Sequence, residues 1–594
     1  MRRVSVLSLL LGLLATLAPA RALPVCESTP RPDPANPFLE FQRQAFGFHD
    51  EELVLCSPGA TEPVHIAARL WVPSSCPGVG GCPGVLIAHG FGFNKEITMG
   101  DMLNAAQRGM FVLSYDVRGQ GASGGQAALL GPDDVADQAA LLQWMHAEVQ
   151  PTKLGVYGLS QGGALAWMAG IYNCGSARAA ALDPAIGCDE GGRWVDAIAP
   201  LQGPVSLNSF VDGTCLVFAA EAVPYSRGNP AIAAHDLACM TDGLPVAEDL
   251  GRAATEEMPF DLAFRDLLPH AGSIDVPAYV GTSFNDRLVP PQDIVQMYEL
   301  LDARADYTED LRLIVSNDGH GDVGANFAVL DDVFAWLAVV LDAAPNELRT
   351  APVAIAQEWD GDAFRLEEAW PIPGTMVSSA FLARAAGGVG ELVTAPRAGE
   401  APDELRNVPY VDSPPEAPFV GGVRVGGATE VPGARVVFLG APTTETVEIT
   451  GVPSASLWLS SSNDDDQGRA QVHVSLAELT PDGQVHEFAR ARRGVTGLGS
   501  EPTELTLMFN ATAIRIEPGN RLMVAITSGD AAVSLPAWSA DSLFIHHDTD
   551  HPSSVVVPTV PVDRVPPEGA PPSGASFAED PFGTICSFFG QSCP

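Results

Sequence analysis

An α/β domain built on a mostly parallel sheet, followed by an all-β sandwich, is the fold class this sequence predicts, and three observations carry it. Between residues 23 and 345 short β-rich apolar runs alternate with helical stretches, as strands covered by crossover helices do. Between residues 350 and 560 the texture changes to short alternating strands separated by turn signals. The chain has 594 residues, 46% of them hydrophobic and 18% charged, which is apolar material for more than one buried core.

The first element, residues 1–22, reads as a signal peptide. Arg2 and Arg3 open it, an apolar run follows from Val4 to Leu17, and Ala18-Pro19-Ala20 and Ala20-Arg21-Ala22 both offer A-x-A cleavage sites. An uncleaved anchor is the competing reading, but the run is shorter than the ~20 residues a spanning helix needs. The product is expected to be secreted, extracellular or periplasmic, with no membrane attachment. All ten cysteines follow this segment, and an even number in an exported chain favours disulfides. As neighbours along the chain they pair as Cys26–Cys56, Cys76–Cys82, Cys174–Cys188, Cys215–Cys239 and Cys586–Cys593. No C-x-x-C pair or clustered Cys/His spacing supports a zinc site instead. With 73 acidic against 32 basic residues the net charge is −41, which repels nucleic acid and anionic membrane surfaces.

The strands of the first domain read as Gly84 to Ala88, Phe111 to Tyr115, Leu154 to Tyr157, Val195 to Ala199, Val276 to Val280 and Leu311 to Val315. Asp133 to Met145 has helical apolar spacing with acidic residues in its first turn and supplies a crossover helix. The interval from about Ser206 to Ala271 is too long for a simple connection and reads as a cap. In the second domain Glu445 to Ile449, Ser456 to Leu459, Gln471 to Leu476 and Arg521 to Ile526 read as strands, and Pro481-Asp482-Gly483 has hairpin-turn chemistry. Residues 561–594 form a Pro-rich tail, pinned at its end by Cys586 and Cys593.

Gly158-Leu159-Ser160-Gln161-Gly162 matches G-x-S-x-G, in which small residues allow a strained strand-to-helix turn that exposes the serine hydroxyl. In a chain with 59 glycines the match alone is weak, so its context decides. A strand precedes it and a plausible helix, Gly163 to Gly170, follows. The fold that uses this elbow places an acid and then a histidine later in the chain. His320, in Asn317-Asp318-Gly319-His320-Gly321-Asp322 just past a strand, is the candidate base, with His270 in reserve. Asp286, beyond the strand Val276 to Val280, is the candidate acid, and its work is to accept the imidazole Nδ1–H and fix the tautomer. Its rival Asp293 falls inside the helical run Gln292 to Leu301, where an acidic first turn is the ordinary explanation. The oxyanion donors expected are the backbone N–H groups of Gln161 and Phe91. His89, beside Phe91, reads as a supporting loop residue.

Asp116-Val117-Arg118-Gly119-Gln120-Gly121 follows a strand but lacks the fingerprint of a phosphate-cradling loop and reads as a structural turn. Asn463-Asp464-Asp465-Asp466 lacks EF-hand spacing and reads as a solvated turn. The chemistry expected is acyl transfer to water through an acyl-serine, with no metal or organic cofactor. A non-catalytic binding protein on a hydrolase scaffold is the reading from another class.

These residues resemble the X-Pro dipeptidyl-peptidase and cocaine-esterase-like family. On the catalytic side the resemblance rests on Tyr115-Asp116-Val117-Arg118-Gly119, the elbow at Ser160, Asp286 and Gly319-His320-Gly321. On the C-terminal side it rests on Thr444-Glu445, Ile449-Thr450-Gly451, Asp482-Gly483, Arg493-Gly494 and Pro518-Gly519-Asn520-Arg521-Leu522. It implies an α/β-hydrolase domain with a helical cap, joined to a C-terminal jelly-roll of the galactose-binding-like type, and a small ester or Xaa-Pro peptide as substrate. The chain departs from the family at two places. Where members often carry a tyrosine after the early strand it has Phe91, and where they often carry one after the nucleophile it has Gln161, so only backbone donors are carried over.

Overall fold

The structure, a computed structural model, describes residues 29–30, 48–60, 63–76, 79–182, 193–206, 263–286, 288–321, 326–343, 348–357, 359, 363–384, 389–406, 433–462, 469–528, 542–569 and 572. Eleven strands form one sheet: β1 (Thr29–Pro30), β2 (Phe48–Ser57), β3 (Val64–Pro73), β4 (Gly84–Ala88), β5 (Phe111–Tyr115), β6 (Leu154–Leu159), β7 (Ala197–Leu201), β8 (Ala278–Ser283), β9 (Leu311–Ser316), β10 (Val353–Gln357) and β11 (Ala363–Glu367). Their spatial order is 1-2-3-5-4-6-7-8-9-10-11. From β5 through β10 neighbours run parallel, while β1, β2, β3 and β11 pair antiparallel at the two edges. The chain leaves β4 for β5 on one side and returns to β6 on the other, which opens a crevice at the carboxyl ends of these strands.

Central strands of a parallel sheet are covered on both faces and read as unbroken apolar runs, as Gly84–Ala88 does with every residue buried. The period of two then sorts them. Val85 and Ile87 join the core under α1 (Met99–Gln107), whereas Leu86 and Ala88 join the core under α2 (Pro132–Trp144) and α3 (Gln161–Ile171). After the short α4 (Ala177–Leu182), α5 (Pro291–Asp302) packs on the second face and α6 (Phe327–Val340) on the first. Pro132 opens α2, where a missing N–H costs nothing, and Asp134 Oδ2 accepts from Gly131 N at 3.2 Å. Two strands lie two residues later than their sequence patterns place them. Pro277 has no N–H to give to a ladder, so β8 starts at Ala278, and β7 starts at Ala197, after Asp196 has accepted from Leu154 N at 2.8 Å.

The shift in texture at residues 345–350 does not end this sheet. β10 adds parallel to β9 and β11 closes the edge, pairing backbone groups that β9 would otherwise leave open. The all-β part therefore begins in space at β12 (Met376–Ala383). It continues through β13 (Gly390–Val393), β14 (Asp403–Arg406), β15 (Arg435–Leu439), β16 (Val447–Gly451), β17 (Ser454–Ser461), β18 (Arg469–Leu479), β19 (Val485–Thr496), β20 (Thr503–Met508), β21 (Thr512–Ile516), β22 (Arg521–Thr527), β23 (Ser542–His546) and β24 (Ser554–Val560). The β18–β19 hairpin turns at Thr480–Gln484, with Gly483 at φ +87° and its N–H donating to Thr480 O at 3.0 Å. The two parts share a core: Ala511, Ala513 and Val560 are buried in the same cluster as Trp370 and Ile372.

Cys76 and Cys82 form a disulfide, their Cα atoms 5.8 Å apart. Cys174 is also disulfide-bonded, to a partner outside the described residues. Cys56 is half-buried with Sγ 3.5 Å from His65 Nδ1. Residues 1–22, Cys26, Cys188, Cys215, Cys239, Cys586, Cys593, Asn463–Asp466, most of the expected cap and most of the tail lie outside the described residues. Among the described residues no helix is long and apolar enough to cross a membrane.

Candidate active site

The elbow follows from three glycines, each beside a backbone that leaves no room for a side chain. A Cβ at Gly158 would meet the carbonyl group of Gly162 at 2.3 Å. One at Gly162 would lie 2.0 Å from Ala88 O on β4, and one at Gly163 2.5 Å from Leu201 O on β7. The first turn of α3 can therefore press into the sheet only with this sequence. The cost falls on Ser160, between β6 and α3, which is held at φ +59°, ψ −122°, a region costly for a residue with a side chain. That conformation lifts the hydroxyl out at the carboxyl edge of the sheet, at the N-terminus of α3.

His320 lies beyond β9 and Asp286 beyond β8, so both reach the same edge. His320 Nδ1 is 2.8 Å from Asp286 Oδ2, and Nε2 is 2.8 Å from Ser160 Oγ. Asp286 is buried, and its other oxygen accepts from Leu288 N at 2.9 Å and Val289 N at 2.8 Å. A carboxylate so held accepts the Nδ1–H, which leaves the Nε2 lone pair facing the serine hydroxyl. It is His320, not His270, that the structure brings to Ser160. His270 sits on a 3₁₀ turn over Leu268–Ser273, and burial pulls its pKa down. Asp293 lies in the first turn of α5.

Gln202 was not picked out from the sequence. It follows β7 directly, is fully buried, and is held at φ +45° with its N–H donating to Gly281 O at 2.7 Å. Its side-chain Nε2 donates to Ser283 Oγ at 2.6 Å and Gly319 O at 3.0 Å, while Oε1 accepts from Gly321 N at 2.8 Å. The residues on both sides of His320 are thus tied to one buried amide. A lone polar residue ending an apolar strand next to the nucleophile strand was the only local signal.

On the other side of Ser160 lies the loop after β4. A Cβ at Gly90 would sit 3.4 Å from Ser160 Cβ, so glycine is what allows this close approach. His89 is buried; Val117 N donates to its Nε2 at 3.0 Å, which places the proton on Nδ1, donating to Gly90 O at 2.7 Å. Burial lowers its pKa, so it stays neutral and pins the loop. Phe91 packs against Ala127 and Leu129. Gly92 N donates to Gln120 Oε1 at 2.6 Å, and Gln120 Nε2 donates to Gln161 Oε1 at 2.9 Å, which links this loop to the first residue of α3. The turn after β5 binds its own chain. Asp116 accepts from Lys95 N at 2.6 Å and Ala122 N at 2.7 Å, and Arg118 holds Asp137 with two bonds of 2.8 and 2.7 Å. Among the described residues no group of three or more His, Cys, Asp or Glu is placed to hold a metal ion.

Comparison with known proteins joins the two halves. The family model for the X-Pro dipeptidyl-peptidase (S15 family) matches residues 62–322, and that for the X-Pro dipeptidyl-peptidase C-terminal non-catalytic domain matches residues 346–556. No curated protein sequence matches the chain. Among solved structures the chain is similar to an alpha-amino acid ester hydrolase labelled with selenomethionine, at 14% identity and a TM-score of 0.66, covering 89% of this chain and 98% of that one. It is similar to an aminopeptidase from a marine sediment archaeon, Thaumarchaeota archaeon, at 14% identity and TM-score 0.63 over the same shares of 89% and 98%. A CocE/NonD family hydrolase from Staphylococcus aureus matches at 13% identity and TM-score 0.62, covering 86% of this chain and 94% of that one. At such identities these likenesses establish the fold. The two family models cover most of the chain in the family's own domain order, and the chain belongs to the X-Pro dipeptidyl-peptidase (S15) family, as a hydrolase of the serine type.

Proposed function

We propose that this protein hydrolyses carboxylic esters through an acyl-serine intermediate. The observation that carries the reading is His320 bridging Ser160 and Asp286 at 2.8 Å on each side. Ser160 Oγ attacks the acyl carbon as its proton passes to His320 Nε2, and Asp286 stabilises the imidazolium that forms. The carbonyl oxygen becomes an oxyanion held by the N–H groups of Gln161 and Phe91. As the tetrahedral adduct collapses, His320 returns its proton to the departing alkoxide. Water then attacks the acyl-serine with His320 as base, releasing the carboxylic acid and restoring the hydroxyl.

The choice of ester over peptide rests on what an exopeptidase must do, which is to hold the substrate's terminal ammonium near Ser160. Among the described residues, the carboxylates whose contacts reach the loops around Ser160 are engaged: Asp286 with His320 and backbone N–H groups, Asp116 with Lys95 and a turn, and Asp318 with Asn326. Gln120 and Gln161 are neutral. The exposed Phe93 and Ile97 offer an apolar wall next to the loop that approaches Ser160. The family description supports a second reading, release of Xaa-Pro dipeptides from the N-termini of peptides. Purified protein tested on p-nitrophenyl butyrate and on Ala-Pro and Gly-Pro anilides separates them, with a higher kcat/KM for the ester expected. An anilide equal to or better than the ester overturns the esterase reading. A fluorophosphonate probe should label the wild type and not Ser160→Ala, and an unlabelled wild type defeats both readings. We also read residues 1–22 as an export signal, which N-terminal sequencing of the mature protein checks.

A further inference from the structure

Far along the sheet from Ser160, four segments meet around a cavity of about 400 Å³. Its walls include Trp359 just after β10, Arg365 on the edge strand β11, Glu448 on β16, Arg515 on β21, and Val562 and Arg564 just after β24. Two carboxylates serve these cations. Glu367 is fully buried and binds Arg564 with both oxygens and Arg365 Nε at 2.7 Å. Glu448, also buried, accepts from Arg365 at 2.8 Å and from Arg515 at 3.1 Å.

Counting these groups leaves three guanidiniums against two carboxylates, an excess of one positive charge in a chain whose net charge is −41. Desolvating a cation without a partner is costly, so an uncompensated charge at the wall of a cavity draws an anion into it. Two further observations point the same way. Arg564 Nε is buried and has no hydrogen-bond partner. The Arg515 guanidinium stands 4.4 Å and that of Arg365 5.6 Å from the centre of the Trp359 ring, which fixes two planar donors beside an aromatic surface.

We propose that this cavity, at the junction of the α/β and all-β parts, binds a small organic monocarboxylate. The guanidiniums of Arg515 and Arg564 take the carboxylate, and Trp359 with Val562 covers the organic part. One negative charge balances the excess, whereas a dianion such as phosphate would leave a net negative charge in the same partly buried place. The cavity also falls in the range of about 300–1,000 Å³ typical of small-molecule sites.

The test follows the unfolding midpoint of the full chain during titration with benzoate, its neutral isostere benzyl alcohol, and inorganic phosphate, at constant ionic strength. A ligand that binds the folded state raises the midpoint saturably. Benzoate is expected to do so, and the other two are not. Arg515→Gln removes the excess charge while Arg365 still holds Glu448. Val562→Asp cancels it from an exposed position without touching an ion pair, so this variant is expected to fold even if the first does not. Each should weaken benzoate at least tenfold while hydrolysis of p-nitrophenyl butyrate is unchanged. Absence of a benzoate shift in the wild type, an equal shift with phosphate or benzyl alcohol, or a shift that survives in a folded variant overturns the assignment.

Discussion

Replacing Gln202 by leucine should damage catalysis more than folding. Leucine keeps most of the volume but withdraws the amide from Ser283 Oγ, Gly319 O and Gly321 N. Orphaned buried groups cost about 1–3 kcal/mol each. Gly319 and Gly321 are half-exposed and can turn to water, so the loss of stability should sit low, about 2 kcal/mol in all. That turn to water moves the loop carrying His320, whose imidazole must meet both Ser160 and Asp286. A displacement near 1 Å at a reacting group costs on the order of 10²-fold, or about 2.7 kcal/mol of transition-state stabilisation. With active sites counted by fluorophosphonate titration, kcat on p-nitrophenyl butyrate should fall about 10²-fold with KM within about threefold of the wild type. If Gln202→Leu lowers the melting temperature but keeps wild-type kcat per titrated site, Gln202 is a packing residue and the reasoning fails.

Three further outcomes follow from the geometry. Asp286→Asn should lower kcat by about 10⁴-fold with little change in melting temperature, because an amide N–H facing Nδ1 holds the imidazole in the tautomer that cannot take the serine proton; retention of activity would move the acid elsewhere. Gly162→Ala should destabilise by about 3 kcal/mol in urea unfolding, since its Cβ would lie 2.0 Å from Ala88 O, whereas Gly100→Ala, with nothing within 4 Å, should be neutral or slightly stabilising; equal effects would refute the steric account. For His547, burial lowers the pKa, but Asp403, 3.1 Å from Nε2, and Glu400, 2.9 Å from Nδ1, outweigh it and the net shift is upward. Its stabilising contribution is thus complete below the unfolded value of about 6.5 and is lost as pH rises through the folded value, so the melting-temperature gap between wild type and His547→Gln should be wider at pH 5.5 than at pH 8.5. A gap independent of pH contradicts that coupling.

What the sequence determined by itself was local or periodic. Apolar runs bounded by turn residues located β4, β5, β6 and β9 to within one or two residues, because a strand buried on both faces needs an unbroken run. The elbow at Ser160 was legible because its glycines are required by contacts within five residues and by the strands on either side. Asp286 and His320 were legible because each follows a strand at the carboxyl edge where this topology gathers its loops. Tertiary structure alone decided the rest. Nothing near residue 350 says that β10 and β11 complete the first sheet, since the reason is the open edge of β9, formed some forty residues earlier. Gln202 acquires its role from Gly319 and Gly321, 117 and 119 residues away, and the same amide in another fold would be an ordinary polar residue. The Arg365, Arg515 and Arg564 cluster likewise exists only because three distant segments meet, and the charge it leaves uncompensated is a sum over neighbours that no stretch of sequence contains.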